Sequence, residues 1–590
     1  MRSHSRKVKL LFAGDVFEQL IMIVIALVAI IAAVAAYLEA DAGARSDEAL
    51  LKSQTYLLQS VGIKSRGEQE VGYALSDAYR QWLELDSLAF QEEQNGDAKA
   101  AERYRTMRDQ LANLTPLLSQ PYFDPTSGSK PDLKAFESDT YLVEVTRLTE
   151  HFANAALISD GWGEKGDNYV IHLTLLTVAL FLYGLATTVL RKLKWYFVGA
   201  GSVIGAITLL WMMIVVVSPV ESLPDEAIVN YAQGVGLAHK DNHEGAIAAF
   251  GTALEFAPDY ANAYYERAKA HFDLNNYEQA AVDYEAALSA GREDVNVPWN
   301  LGWTYYLMGD FEKSVAMTQQ ALEIDPDSDA SVAQVPLFFN LGLAQLAAGN
   351  IKEAQESYTE AATLAIQQVN QAREADQEPS ATLWWYLGAA SIDIDNLLDC
   401  LYEQVCEGTP PSEAIATSEN LSSTAEELNK QVKNLTTALE YTGQVPPDSV
   451  AATVSTFEVV QAVYDDGGQI VAYNPLQTQT TFRGAAVFEE EDELANVDLT
   501  RSQNGLTGEL FIDFDYSNIQ PGQLIVVKVY VDGRESPGLR LVEEWSLESQ
   551  GEALLPLTPG GTYALPPDEY EIEIYVDSHL VQQGEFTIDS

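Results

Sequence analysis

Three uninterrupted apolar runs stand out against an otherwise polar chain. Gln19 to Leu38 is a stretch of 20 uncharged, mostly apolar positions; Tyr169 to Leu190 is a second run and Trp195 to Val220 a third. At a rise of ~1.5 Å per residue, a run of this length covers the roughly 30 Å hydrocarbon core of a bilayer. A helix in a globular core usually keeps a polar face over that distance, and these runs have none. The pattern therefore predicts membrane spans over 19–38, 169–190 and 195–220. The first run also fits a secretory signal, but its apolar part is long and no small-residue cleavage site with a turn follows, which favours an uncleaved anchor.

Between and beyond the spans the pattern takes three forms. Residues 39–168 show apolar positions spaced by 3 and 4, through Ala49 to Val61 and through Val71 to Leu88. A Gly96-Asp97 turn leads into a further amphipathic stretch, and Pro116, Pro121 and Pro125 mark a loop, so a small α-helical bundle is expected there. Residues 453–590 alternate with period 2, as in Glu509–Tyr516, Leu524–Val531 and Tyr570–Val576, bounded by Gly, Pro and Asp. They read as strands, the last pairing with Leu580–Ile588 across Asp577-Ser578. Between these regions, residues 221–442 repeat themselves.

The repeat has a period of 34. Gly234, Ala268 and Gly302 form one series; Ala246, Ala280 and Ser314 a second; Phe250, Tyr284 and Thr318 a third; Ala253, Ala287 and Ala321 a fourth. Turns fall in register at Asp241-Asn242, Asn275-Asn276 and Gly309-Asp310, and Pro258 and Pro326 close units two periods apart. A fourth copy, with Gly342, Gly349-Asn350, Ala354, Tyr358 and Ala361, follows a six-residue insertion. Small residues at fixed positions let paired helices approach, and bulky ones fill the space between them.

This pattern resembles the tetratricopeptide repeat, with Ser314 and Thr318 departing mildly and Arg292 standing where a proline is usual. The resemblance implies an α-solenoid of helix pairs, with degenerate helices over 381–407 and 412–441. It also implies a concave surface that binds extended protein segments. The matching positions are Tyr231, Tyr265, Lys269, Phe272, Trp299, Trp303, Tyr306 and Phe339. They would form an aromatic groove, although rings in such repeats also serve as packing between helices. The stretch from Gly508 to Asp589 resembles Ig-like sandwich domains appended to bacterial secreted proteins, on Pro566-Pro-Asp-Glu-Tyr570 and Gly584-Glu-Phe-Thr-Ile588. Such domains bind or space rather than catalyse.

Charge then adds orientation. Arg2, Arg6, Lys7 and Lys9 precede the first span, and Arg191, Lys192 and Lys194 fill the turn at 191–194. The positive-inside rule assigns 1–18 and 191–194 to the cytoplasm, and three spans then place everything after residue 220 outside. The expected location is the plasma membrane, with the repeats and the β domain extracytoplasmic. Of a formal net charge of −53, residues 221–590 supply −48, from 62 acidic and 14 basic side chains. So acidic a chain does not suit nucleic acid or anionic lipid headgroups.

Candidate chemistry is sparse. No H-E-x-x-H, G-x-S-x-G or Walker pattern occurs, and Gly234-Val-Gly236 lacks the third glycine of a dinucleotide loop. His239 and His243 flank a turn rather than sharing a helical face, and Glu489–Glu493 and Asp513–Asp515 lack the spacing of a calcium loop, so no metal is expected. His172 sits within the second span near its outer end, where an interfacial neutral imidazole is the simpler reading. Cys400 and Cys406 can pair only if the helix between them ends near Glu403; the sequence leaves this open. Sequons at Asn113, Asn420 and Asn434 occur at chance frequency.

The fold class expected is multidomain: transmembrane helices, an α-helical bundle, a tetratricopeptide α-solenoid and a C-terminal all-β, Ig-like sandwich. The function expected is a non-enzymatic, membrane-anchored scaffold for protein or peptide partners, with no cofactor, nucleic acid or small-molecule substrate. The alternative is a membrane sensor whose helical region at 39–168 detects a ligand and acts through a partner.

Overall fold

The computed structural model describes residues 2–125, 130–189, 193–324, 331–402, 404–406, 408–412, 419–442, 450–464, 470–475, 478–479, 510–531, 534–557 and 568–588. Arg191, Lys192, Pro326, Glu489–Glu493 and Pro566–Pro567 lie outside these. The chain divides into two compact units, Met1–Asn276 and Tyr277–Ser590.

In the first unit, α1 (Arg2–Tyr73) is a single helix of 72 residues, continued through a π turn (Ala74–Tyr79) into α2 (Arg80–Gln94) and, after Gly96, α3 (Ala98–Leu111). A short α4 (Leu133–Glu137) leads through a second π turn (Ser138–Leu142) into α5 (Val143–Thr188), and α6 spans Leu193–Val217. Among the described residues, three helices are long and apolar enough to cross a membrane by length and composition.

The helices expected at 39–168 are built mostly as a two-helix extension of the first two apolar runs. No Pro interrupts Glu39–Glu48, and α1 runs on through Asp41, Gly43, Ser46 and Asp47. Its buried positions Ile21, Val28, Ala35, Ala42 and Ala49 are spaced by seven, the heptad signature of helices that coil about one another. The partner is α5, running antiparallel: Ser46 Oγ meets Ser159 Oγ at 3.1 Å and Ser60 Oγ meets Thr149 Oγ1 at 3.1 Å, while a Cβ on Gly67 would lie 2.4 Å from Tyr141. Gly161 and Gly163 do not break α5. A Cβ on Gly161 would meet Val220 at 2.8 Å, so the missing side chain allows a close approach. A small apolar cluster of Trp82, Leu111, Leu118 and Phe123 closes the far end.

Helices α7 (Asp225–His239), α8 (His243–Phe256) and α9 (Ala261–Asp273) complete this unit. The second unit continues with α10 (Tyr277–Ser289), α11 (Asn296–Leu307), α12 (Phe311–Ile324), α13 (Ser331–Ala347), α14 (Ile351–Glu374), α15 (Ala381–Tyr402) and α16 (Glu419–Thr437), the last ending in a π turn (Ala438–Thr442). The period is visible in the backbone: Asp241, Asn275, Gly309 and Gly349 all have φ between 57° and 83°. The residue after each bonds back five positions, Asn242 N to Leu237 O, Asn276 N to His271 O, Asp310 N to Tyr305 O and Asn350 N to Gln345 O. The same left-handed cap thus ends each first helix.

Among the described residues ten strands follow: β1 (Thr453–Tyr464), β2 (Ile470–Pro475), β3 (Thr478–Gln479), β4 (Leu510–Ser517), β5 (Leu524–Val531), β6 (Arg534–Glu535), β7 (Leu541–Glu544), β8 (Gln550–Pro556), β9 (Asp568–Val576) and β10 (His579–Ile588). They form two antiparallel sheets, β2-β1-β4-β8 and β3-β10-β9-β5-β6, with β7 also on β5. Phe457, Ile512 and Phe514 from one sheet share a core with Val527, Ile572 and Phe586 from the other. The turn between β9 and β10 holds Asp577 and Ser578 at φ 48° and 65°, the geometry of a tight hairpin.

Candidate functional site

The repeat packing seats glycines of the first helices against bulkier side chains of the second. A Cβ on Gly234 would lie 2.5 Å from the Phe250 ring, one on Gly302 2.7 Å from Thr318 Oγ1, and one on Gly342 2.5 Å from the Tyr358 ring. The glycine and bulky series read from the sequence are therefore direct partners across each helix pair, and the first helix of a pair is left to present its other side chains.

The eight groove positions separate into groups. In the first unit Tyr231 is 6% exposed, packed on Phe250 at 5.7 Å and Tyr260 at 5.1 Å, and Tyr265 is 7% exposed. Lys269 is exposed, holds Glu266 at 2.9 Å and lies over the Tyr265 ring; Phe272 is half-buried. In the second unit Phe339 is 2% exposed and packs edge-on against Tyr358 at 5.3 Å. Tyr231, Tyr265 and Phe339 are thus interior residues and not groove lining. Their positions in the repeat admit either role, and the packing against the neighbouring helices decides it.

Trp299, Trp303 and Tyr306 remain half-buried on α11. The Trp303 and Tyr306 rings stack at 4.9 Å, inclined by 13°. They line a cleft with Asp393, Asn396 and Leu397 of α15. Trp299 faces Tyr386 at 6.1 Å, and Tyr386 meets Trp385, which is 68% exposed. The sequence reading missed this wall of α15, although the Trp384-Trp385-Tyr386 run signalled it. No Lys or Arg lines the cleft among the described residues. Aromatic faces beside a carboxylate suit apolar or cationic side chains.

The cleft is closed at one end by the chain itself. Helix α15 stops at Tyr402, and Cys400 and Cys406 are joined by a disulfide with Cα atoms 4.4 Å apart. Past it, Thr409 N donates to Leu307 O at 2.7 Å, and Cβ atoms on Gly309 and Gly408 would collide with Thr409 and Leu307. Both glycines permit this close docking of a loop on the end of α11.

A second polar arrangement ties the first repeat to α5. Tyr260 Oη donates to Glu150 Oε2 at 2.7 Å, with Asn262 Nδ2 3.3 Å from both Glu150 oxygens. Burial and the adjacent Glu150 carboxylate push the Tyr260 hydroxyl far above its ordinary pKa. His151 lies 3.2 Å from Asp225 and stacks on Tyr56 at 5.1 Å. Burial pulls its imidazolium below the usual range, and Asp225 offsets only part of this. Asn154 pairs with both backbone groups of Leu223, and Ser138 Oγ donates to Gly236 O at 3.0 Å. His239 and His243 take separate partners, Glu137 at 2.9 Å and Asp273 at 3.3 Å.

Comparison with known proteins gives the repeats a name. The family model "TPR repeat" matches residues 234–274, and the model "Tetratricopeptide repeat" matches 261–292, 299–328 and 335–365. Tetratricopeptide repeat protein 12 of Mus musculus is 26% identical over 161 residues, covering 27% of this chain and 22% of the mouse protein. The chain therefore spans about a fifth of that relative's length. Among solved structures, YrrB, described as a TPR protein with an unusual peptide-binding site, is 19% identical over 30% of this chain and 91% of its own, with a TM-score of 0.22. MamA 41-end from Desulfovibrio magneticus RS-1 is 19% identical over 32% and 96%, with a TM-score of 0.22. Between residues 234 and 365 the chain carries tetratricopeptide repeats.

Proposed function

We propose that this protein is a membrane-anchored scaffold that binds extended protein segments outside the cytoplasmic membrane through its tetratricopeptide repeats. The observation that carries the reading is the cleft of Trp303 and Tyr306 against α15, an aromatic surface on a repeat that family models match. Repeats of this kind support protein-interaction scaffolds, and the reading is non-enzymatic. The three apolar helices support the anchor, and the Arg and Lys flanks support the orientation. The strand order β1-β4-β8 opposite β10-β9-β5 corresponds to A-B-E opposite G-F-C of an Ig-like sandwich, which supports a binding or spacer role for residues 453–590.

The acidic field narrows the partner. With −48 on residues 221–590, an acidic segment is repelled and a neutral or basic one is drawn in. The test is affinity capture from solubilised membranes with the full chain and with a Trp303→Ala, Tyr306→Ala variant. Loss of specific partners at unchanged thermal stability supports the reading. Unchanged partners sink the cleft, and resistance of the repeats to protease added to intact cells sinks the outside placement.

A sensor role has one observation in its favour. Helix α5 is continuous from its contacts with the first repeat at Val143 to Thr188, the end of the second apolar run. A displacement of the repeat would pass directly into that run.

A further inference from the structure

We propose that the outer face of α1 between Leu50 and Val61 is where a second copy of this chain docks, making the protein a parallel dimer. Over this stretch α1 packs a small-residue side on α5 and carries an apolar stripe on another side that α5 does not cover. Ala49, Ser53 and Ser60 face inward and are buried, with Ser60 on Thr149 of α5. Leu50, Leu51, Leu57, Leu58 and Val61 lie on another side and are 46%, 65%, 44%, 74% and 59% exposed. With Gln54 they follow the i, i+3, i+4, i+7 spacing of one continuous stripe. An apolar stripe of this length left exposed on a helix is built to be covered, and α5 covers only the small-residue side.

Electrostatics favours a second copy as the occupant. The chain carries −53, so two copies repel one another over most of their surface. Residues 49–67 hold no acidic side chain. Lys52 is held by Glu48 at 2.8 Å and Lys64 by Glu68 at 3.8 Å, so the ends of the stripe are neutralised on their own helix. Geometry adds to this. The proposal rests on the membrane reading in one respect: two copies anchored by 19–38 in one bilayer carry the stripe at the same height and in the same direction. Leu50 stands 12 residues beyond Leu38, or ~18 Å along the helix, clear of the hydrocarbon. Identical stripes then meet in register about a two-fold axis along the membrane normal, as an isologous interface requires.

The test uses the full chain in lipid nanodiscs. Among the described residues there is no free cysteine, so a thiol at Leu58→Cys is unique there. Gln59→Cys, exposed on a different side of the same helix, is the control. Expected are oxidative cross-linking to a dimer at Leu58→Cys, little at Gln59→Cys, and a protein mass of two chains by light scattering that falls to one in Leu51→Glu, Leu58→Glu. Because both leucines are exposed, that variant keeps its fold, checked by an unchanged melting curve. A wild-type mass of one chain, or equal cross-linking at 58 and 59, overturns the proposal. Should the protein prove extractable without detergent, the membrane reading fails, and the same mass and cross-links read in buffer still decide whether the stripe pairs.

Discussion

Lys433 Nζ donates to Glu573 at 2.7 Å, joining the last solenoid helix α16 to strand β9 through side chains that are 10% and 1% exposed. Asp395 and Glu571 stand 3.5 and 3.9 Å from the same ammonium. Beside it, Lys528 reaches Glu440 at 3.1 Å, Arg540 reaches Glu440 at 2.9 Å, and Asn434 Oδ1 accepts from Leu580 N at 2.6 Å. Residues 277–590 contain only 11 Lys and Arg, and three of them are spent on this one junction. Burial alone would lower the Lys433 ammonium; its carboxylate neighbours reverse this and raise it. Burial likewise works against the Glu573 carboxylate, and Lys433 holds it below the ordinary range.

Removing one member of this pair leaves a buried charge alone. Lys433→Ala is expected to destabilise the second unit by about 3–5 kcal/mol. Lys433→Met with Glu573→Gln, which removes both charges, should recover most of the loss. Denaturant titration followed through Trp545, 5% exposed in the sandwich core, reads the difference. A single variant within about 0.5 kcal/mol of wild type would show that the pair contributes nothing.

Glu571 makes the junction pH-sensitive. Burial, reinforced by Glu573, Asp395 and Glu585, pushes its carboxyl up to about 7, against the opposing pull of Lys433. With 37% of its side chain exposed, solvent tempers the effect. A carboxyl raised in the folded state adds stability that is complete below its unfolded value of 4.5 and lost as pH climbs through about 7. Wild type should therefore melt lower at pH 8 than at pH 5 relative to Glu571→Gln. Parallel curves for the two proteins would refute the assignment.

Gly342 admits no side chain. A Cβ there would lie 2.5 Å from the Tyr358 ring and 3.3 Å from Ala354 O, and Tyr358 is itself pinned by Phe339. Gly342→Val should cost about 1–3 kcal/mol or more through overpacking. Gly388, with nothing within 4 Å of its would-be Cβ, is the control, and Gly388→Ala should stabilise α15 by about 1 kcal/mol. Circular-dichroism melts of both variants decide it.

The Cys400–Cys406 bond closes a short loop that holds Thr409 against Leu307. Replacing both cysteines by serine should cost about 2 kcal/mol from the loop length alone. Hydrogen exchange should show Thr409 N losing protection while the α13–α14 pair keeps its own. Unchanged protection at Thr409 would mean the loop is held by packing and not by the bond.

Much of the repeat architecture was legible because its cause is local. Small residues every 34 positions and turn residues in register are written into each copy, and the structure seats Gly302 on Thr318 and Gly342 on Tyr358 accordingly. The groove was legible only in part. Trp303 and Phe339 look alike in the sequence, yet one lines a cleft beside α15 and the other is core. Their difference lies in helices up to ~90 residues away, which repeat position does not encode.

By itself, the sequence determined the three apolar runs, the 34-residue period and the alternation of the strands, since each follows from the spacing of side chains along a single element. Tertiary structure alone decided that α1 and α5 coil together well beyond those runs, that Glu150 receives Tyr260, and that Lys433 meets Glu573. These contacts join residues far apart in the chain, Ser46 with Ser159, Tyr260 with Glu150 and Lys433 with Glu573, where burial and charge pairing depend on which surfaces meet. Periodicity shows that a helix has a face to bury, and only the packed chain shows what covers it.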